Sequence, residues 1–115
     1  MSQQFNENEL LERVDNDIAF LSDTVDMLAT DGRELMAEVK KALAAQNAAT
    51  LGHTAHTLKG MISNFCAPKL QASAFDIEQM GKNGDLAVAP QAVQKAESEL
   101  ELLITELQTF VKERN

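Results

Sequence analysis

The sequence predicts an all-α fold, an antiparallel up-and-down four-helix bundle with one or two short flanking N-terminal helices. Three observations support this prediction. Glycine and proline are scarce, with 5 and 2 occurrences in 115 residues, while the helix formers Ala, Leu, Glu, Gln and Lys dominate. Apolar residues recur three or four positions apart in successive segments, which is the spacing of one helix face. The connections between these segments are short, and short connections favour antiparallel neighbours.

The N-terminal third of the chain predicts short helices. Asn6 is a candidate N-cap for the first of them, because acidic residues and a short apolar stripe follow it. A second helix is expected to begin near Asp17 and to be interrupted by the sequence TDG. Asp31, with Glu34 three residues later, resembles a capping box, so a third helix is expected to start there and to continue to about Gln46.

Three further segments complete the predicted bundle. A helix is expected from about Asn47 to Phe65, and Pro68 fits the first turn of the next helix, where its missing N–H leaves no hydrogen bond unmade. That helix should stop within GKNGD, residues 81–85, because two glycines and an asparagine supply left-handed and turn conformations. Pro90 opens the last helix, whose apolar stripe keeps its phase over about six turns.

Length, charge and composition restrict the class of protein. We predict one domain, residues 1–115, with a bundle core at about 31–113. The formal net charge is −8 and basic residues form no cluster, which favours protein partners over nucleic acid or an anionic membrane. The single cysteine, Cys66, cannot form an internal disulfide and suits a reducing compartment. Neither a signal peptide nor a bilayer-spanning run is evident, so we expect a soluble, cytoplasmic monomer.

The stretch GHTAHTLKG, residues 52–60, contains the candidate functional residues. At about 100° per residue on an ideal helix, the apolar side chains of this segment fall opposite His56, which places the imidazole on an outer face. The residues on the same side as His56 are Ala49, Gly52, His53, Lys59, Gly60 and Ser63. Because each glycine inside a helix costs roughly 1 kcal/mol relative to alanine, we expect Gly52 and Gly60 to leave the ring open to a large partner. The alternative is the close approach of another helix.

Other chemistries have weaker support. A lone histidine is often only a surface or packing residue. His53 and His56 are three residues apart, but neither the Glu-x-x-His pattern of di-iron bundles nor H-E-x-x-H is present, so no metal site is expected. Nothing indicates an oxyanion hole, a nucleophile elbow or a Gly-rich phosphate loop. We therefore predict no cofactor and no hydrolytic activity.

The run AHTLKGMISNF, residues 55–65, closely resembles the signature of the histidine-containing phosphotransfer domain, in which Lys and Gly follow a phosphorylatable histidine at the third and fourth places. LMAEVKKALAAQNAATL upstream and LQASAFDIEQMGKNGDL downstream resemble the adjacent helices of that family, so the likeness covers roughly residues 8–110. It implies a four-helix bundle that relays a phosphoryl group between aspartates of response-regulator receiver domains, with no kinase activity of its own. A hybrid sensor histidine kinase is the other implied partner, and magnesium would come from the receiver.

The resemblance also implies roles for individual residues. His56 would carry the phosphoryl group on Nε2, and Glu78 would accept a hydrogen bond from its Nδ1–H. Lys59 would offset the charge of the phosphoryl group, and Lys69 could add to that field. Gly52, Gly60 and Ser63 are expected to belong to the binding surface because they share the helix face of His56. The alternative for Glu78 is an ordinary solvated glutamate of a helix, and the alternative for Lys69 is a plain surface lysine. Cys66 departs from the family pattern, which often has glycine at that position.

Two other functions remain open at this point. The same bundle could be an adaptor that binds receiver domains without accepting phosphate, or a purely structural bundle. The presence of His56, Lys59 and Gly60 together favours phosphoryl transfer, because an adaptor would not need the nucleophile.

Overall fold

Residues 4–115, which the computed structural model describes, form six α-helices and contain no strand. The all-α prediction is therefore confirmed, while residues 1–3 of the predicted domain lie outside the described residues. In chain order the helices are α1 (Glu7–Arg13), α2 (Ile18–Met27), α3 (Arg33–Ala44), α4 (Ala48–Ile62), α5 (Pro68–Asn83) and α6 (Ala89–Arg114).

Side-chain caps begin three of the helices, because an Asn or Asp oxygen can accept a hydrogen bond from a backbone N–H that has no helical partner. The side chain of Asn6 accepts from the N–H of Glu9 at 3.0 Å, which confirms the predicted cap of α1. Asp17 caps α2 in the same way, with its Oδ1 3.0 Å from the backbone nitrogen of Phe20. Asn47 caps α4.

The predicted break between α2 and α3 is wrong. A π-helical turn, Leu28–Gly32, joins the two helices, and the residues on both sides of it keep right-handed helical dihedrals. Asp31 therefore forms no capping box, and α3 begins without a side-chain cap. Packing explains the continuity, because Leu28 and Gly32 are both buried. A Cβ atom at Gly32 would lie 3.1 Å from a methyl of Leu28 and 3.6 Å from one of Leu100, so glycine here permits close packing instead of a turn.

The other predicted helix ends are close to those observed. Pro68 is in the first turn of α5. That helix ends at Gly84, whose φ of +68° lies in the left-handed region that favours glycine. A short 3₁₀ turn, Ser63–Phe65, continues α4. Cys66 follows it with a φ of +54°. This left-handed backbone accounts for the glycine that the family often has in place of the cysteine.

The long helices form a closed ring of neighbours. α4 packs between α3 and α5, α5 packs on α6, and α6 returns to α2 and α3. Short connections join the successive members, so neighbours run antiparallel and the predicted four-helix bundle is confirmed. The fully buried large side chains are Leu10, Leu21, Leu28, Leu51, Leu58, Ile62, Leu70, Ile77, Leu100, Leu103, Ile104 and Leu107. The predicted domain limits, 1–115 with a bundle core at about 31–113, stay a prediction.

The N-terminal segment flanks the bundle and is held to its last helix. The rings of Phe5 and Phe110 meet edge to face with their centroids 5.3 Å apart. The N–H of Asn6 donates to the carbonyl oxygen of Cys66 at 2.9 Å, which ties the segment to the connection before α5. Within residues 4–115 every helix is too short or too polar to qualify as a membrane span.

Candidate functional site

His56 stands on the outer face of α4, as the helical spacing predicts. Its side chain is 63% exposed. The opposite face of the helix is buried in the bundle and comprises Leu51, Thr54, Ala55, Leu58 and Ile62. His53 is exposed one turn earlier on the same side. The imidazole is thus accessible to another protein while its helix is fixed by the core.

Glu78 reaches the ring from the neighbouring helix α5. Its Oε2 lies 2.8 Å from Nδ1 of His56, and its side chain is only 5% exposed. An ionised carboxylate can only accept hydrogen bonds, so the hydrogen of the neutral ring is held at Nδ1, which donates to Glu78. The exposed nitrogen Nε2 then keeps its lone pair. The carboxylate therefore selects the tautomer in which the solvent-facing nitrogen carries the free lone pair.

Two lysines also approach this carboxylate. Lys59 Nζ lies 2.7 Å from Oε1 of Glu78, and Lys82 Nζ lies 3.7 Å from Oε2. Oε1 is buried and has no well-directed hydrogen bond, so its compensation is the charge of the Lys59 ammonium. The pKa of Glu78 is lowered from 4.5 to about 2, first by Lys59 and then by His56, although burial acts in the opposite direction. The carboxylate is therefore ionised at neutral pH.

Gly52 brings the two helices together, because the space that its missing side chain leaves is taken by the backbone of α5. It is buried, and a Cβ atom on it would lie 3.3 Å from the carbonyl oxygen of Glu78 and 3.4 Å from Gly81 of α5. The reverse contact is tighter, because a Cβ atom on Gly81 would lie 2.5 Å from the Cα of Gly52 and 2.8 Å from the carbonyl oxygen of Ala48. The expectation that Gly52 clears the approach to His56 is thus wrong, and the alternative, close approach of another helix, is correct. The contact lets the backbone of α5 come near enough for Glu78 to reach the ring.

The remaining predicted site residues, Gly60, Ser63 and Lys69, have different surroundings. Gly60 is exposed, and a Cβ atom there would meet nothing within 4 Å. Ser63 is half-buried, and its hydroxyl donates to the carbonyl oxygen of Gly60 at 2.6 Å, so it serves the end of α4. Lys69 is exposed at the start of α5, and within residues 4–115 no ion pair joins it to Glu78. Gly60 is therefore the glycine beside an open surface.

A family model and a solved structure match this chain. The family model, described as the Hpt domain, matches residues 23–110, which is well over half of the sequence. The chain belongs to the Hpt family. The crystal structure of histidine-containing phosphotransfer protein B (HptB) from Pseudomonas aeruginosa PAO1 is similar to this Hpt domain, with a TM-score of 0.90, 23% sequence identity and 98% of each chain covered. That likeness concerns the fold. A search of curated proteins gave no match.

The family confirms the resemblance in residues 55–65 and gives a broad function. Hpt domains act in histidine phosphotransfer within phosphorelays, and they interact with response regulators and kinases of two-component systems. Within residues 4–115 of this Hpt domain, no group of three or more His, Cys, Asp and Glu side chains could hold a metal ion. The ion pairs at the ring instead join the Glu78 carboxylate to His56, Lys59 and Lys82.

Three clefts lie along α4, and they include residues that the sequence analysis did not identify. The one that reaches the ring, of about 320 Å³, lies between α4 and α5 and is lined by Gly52, His53, His56, Glu78, Gly81 and Lys82 among others. A groove of about 600 Å³ lies between α2 and α4; it contains Gly60 and the exposed side chains of Phe20 and Met27. A third cleft contains Lys59, Pro68, Gln71, Ala72 and Phe75. Large exposed apolar side chains therefore line the two clefts that begin three and four residues beyond the histidine on α4, at Lys59 and Gly60.

A signal for Lys82 was present in the sequence. It follows Glu78 by four residues, which places the two side chains on the same helix face. Phe20 and Met27 gave no such signal, because an apolar residue outside the core stripe can be exposed without any role.

Proposed function

We propose that His56 of this Hpt domain accepts a phosphoryl group from the aspartyl phosphate of one receiver domain and passes it to the aspartate of another. The observation that carries the proposal is the 2.8 Å contact between Nδ1 of this exposed ring and the buried carboxylate of Glu78. It fixes the ring and leaves the accessible Nε2 as the nucleophile.

The transfer step is an in-line displacement at phosphorus. The lone pair of Nε2 attacks the phosphorus atom, the N–P bond forms, and the P–O bond to the aspartate breaks, so that aspartate leaves as a carboxylate. The ring gains positive charge as it becomes a phosphoimidazole, and the Nδ1 proton stays beside the carboxylate of Glu78. In the reverse direction a receiver carboxylate attacks the same phosphorus atom and the ring nitrogen leaves. Neither direction requires a kinase activity in this chain.

The lysines supply positive charge close to the reacting nitrogen. Lys59 follows His56 by three residues and lies beside it on the helix surface. Its ammonium would offset the charge of the phosphoryl oxygens, and a point cation suits a group that arrives and leaves. Lys82 lines the cleft on the other side of the ring.

A receiver domain is the partner that the surface around His56 fits best. The groove that contains Phe20, Met27 and Gly60 continues the exposed surface of α4 one turn beyond the ring. Phe20 and Met27 are 54% and 60% exposed. Exposed apolar side chains grouped beside a reactive residue are typical of a protein interface. A receiver seated there would present its aspartate to Nε2, and the receiver of a hybrid sensor kinase would serve as donor.

The test is transfer of label from a phosphorylated receiver domain. Wild-type protein should acquire an acid-labile, base-stable phosphoryl group, as expected of a phosphoimidazole. His56→Gln should remain folded and acquire none, whereas the matched variant His53→Gln should accept label at the wild-type level. Binding of the receiver by wild-type protein without any label would instead support the adaptor function, and label on His56→Gln would mean that another residue is the carrier.

A further inference from the structure

Before His56 is phosphorylated, the anionic partner of Lys59 is the carboxylate of Glu78. A phosphoryl group on His56 would be a second anionic partner of this lysine. In the unphosphorylated protein its ammonium lies 2.7 Å from Oε1 of Glu78. The ring of Phe75 lies on another side, with its centroid 5.2 Å from the same nitrogen. The lysine is thus held against α5 and does not extend into solvent.

We propose that Glu78 and the phosphoryl group on His56 compete for Lys59, so that phosphorylation draws the ammonium from the carboxylate to the phosphoryl oxygens. The inference rests on the proposed function and goes beyond it, because it makes Glu78 a residue that sets the stability of the phosphorylated state as well as the tautomer of the ring.

Lys59 lies one turn from His56 on the same helix, which permits this exchange. The ring nitrogen Nδ1 contacts Oε2 of Glu78, and the Lys59 ammonium contacts Oε1 of the same carboxylate. Lys59 and the ring thus share one carboxylate, and rotation about the bonds of the flexible lysine side chain can redirect its ammonium towards a phosphoryl group on the ring. A phosphoryl group carries between about one and a half and two negative charges at neutral pH. It is thus a strong competitor for the lysine.

Glu78 keeps compensating contacts when Lys59 leaves. The Nδ1–H of His56 continues to donate to Oε2, and Lys82 lies 3.7 Å from the same oxygen. A buried carboxylate with neither contact would be costly. Lys82 therefore makes the departure of Lys59 tolerable, although its own side chain is largely exposed.

Competition implies that Lys59 stabilises the phosphorylated protein only weakly. The favourable interaction energy that the ammonium gains at the phosphoryl group is offset by the interaction energy that it loses at Glu78. A glutamine in place of Glu78 could still accept the Nδ1–H hydrogen bond, but it would not attract the lysine. Glu78 would in this way keep the phosphoryl group easy to pass on.

A double-mutant cycle tests the competition. The quantity to measure is the equilibrium constant for transfer of the phosphoryl group from a phosphorylated receiver domain to the Hpt domain. It is measured for the wild-type protein, Lys59→Ala, Glu78→Gln and the double variant. Lys59→Ala should lower this constant less than about twofold in the wild-type background but about three- to fivefold in the Glu78→Gln background, the size expected of one partly exposed ion pair. Lys95→Ala, which removes an exposed lysine of α6 that lines none of the three clefts, should have the same effect in both backgrounds.

Equal effects of Lys59→Ala in the two backgrounds would overturn the competition while leaving the proposed function intact. Absence of label on the wild-type protein would overturn both. An NMR measurement tests the movement of Lys59 without a receiver. After phosphorylation of the wild-type protein with phosphoramidate, the ¹⁵Nζ resonance of Lys59 should shift more than that of Lys82. An unchanged Lys59 resonance on a phosphorylated His56 would also overturn the proposal.

Discussion

Gly52 and Gly60 lie four residues before and four residues after His56, yet their surroundings are opposite. Gly52 is buried against the backbone of α5, whereas Gly60 borders open space. The first glycine serves the inside of the protein, because it lets α5 approach and bring Glu78 to the ring. The second leaves the outer surface clear. We call the side of the histidine that α5 supports the closed side, although a cleft of about 320 Å³ borders the ring there, and we call the side towards Gly60 the open side.

The open side is tested most strongly by Gly60→Leu. Leucine favours helix over glycine by up to about 1 kcal/mol, so the thermal midpoint should equal or exceed that of wild type. The branched side chain should nevertheless obstruct a receiver one turn from His56, and misplacement by about 1 Å can slow an in-line transfer roughly a hundredfold. Single-turnover transfer and thermal unfolding measure the two effects. A stable variant that accepts phosphate at the wild-type rate would show that the partner does not use this space.

The closed side should respond to Gly81→Ala in the opposite way. The added methyl would overlap the backbone of Gly52, so α4 and α5 must move apart. We expect a loss of about 1–3 kcal/mol in the free energy of unfolding, the usual cost of overpacking, together with weakening of the His56–Glu78 hydrogen bond. Urea unfolding and the ¹⁵N shifts of the imidazole report the two changes. The control is Gly32→Ala, which adds a methyl at a buried glycine packed on Leu28 and Leu100, and it should leave the imidazole shifts unchanged. If Gly81→Ala kept wild-type stability and wild-type imidazole shifts, the glycine contact would not position Glu78.

A single methyl at each glycine of α4 sharpens the comparison. Gly60→Ala should stabilise the protein by roughly 0.5–1 kcal/mol, because alanine suits the helix and its methyl has room. At Gly52 the methyl would meet α5 at 3.3–3.4 Å, so the neighbouring backbone must shift by a few tenths of an ångström. Gly52→Ala should therefore be less stable than Gly60→Ala in urea unfolding. Equal stabilisation of the two variants would remove the distinction between the two sides.

The pH dependence of stability reports on Glu78, the residue that the closed side positions. Its folded pKa of about 2 lies below the ordinary value of 4.5. The unfolded chain therefore binds more protons in this interval, and the contribution of Glu78 to stability is fully present above about pH 4.5 and is lost as the pH falls towards about 2. Glu78→Gln should consequently show a shallower loss of stability than wild type in urea unfolding between about pH 5 and pH 2.5. Parallel curves would contradict the lowered pKa.

The sequence predicts the bundle well because its signals are local or periodic. The apolar spacing of 3.6 residues identifies the helix faces, and Asn6, Asp17 and Asn47 cap helices through contacts only three residues long. The outward direction of His56 follows from the same periodicity. The break predicted at TDG does not occur, because the packing of Leu28 and Gly32 keeps the chain helical there.

The site is less predictable because it depends on contacts between helices. A helical wheel of α4 cannot tell whether Gly52 faces solvent or another backbone, and the partner glycine, Gly81, is 29 positions further along the chain. Glu78 could be assigned only by resemblance to a family. Its contacts with Lys59 and Lys82 depend on the packing of α4 and α5 and on the directions of their side chains.

The hydrogen bond between His56 and Glu78 also affects how partners are met. Because the glycine contact fixes α5 against α4, the imidazole is restrained before any receiver arrives. Ordering a side chain at an interface costs about 0.5–1.5 kcal/mol when it must happen during binding. Here the conformational entropy of the His56 side chain is already lost on folding, so a receiver that binds does not have to order the ring before transfer can occur. A carrier that visits two partners in turn can then react within brief complexes and does not need tight ones.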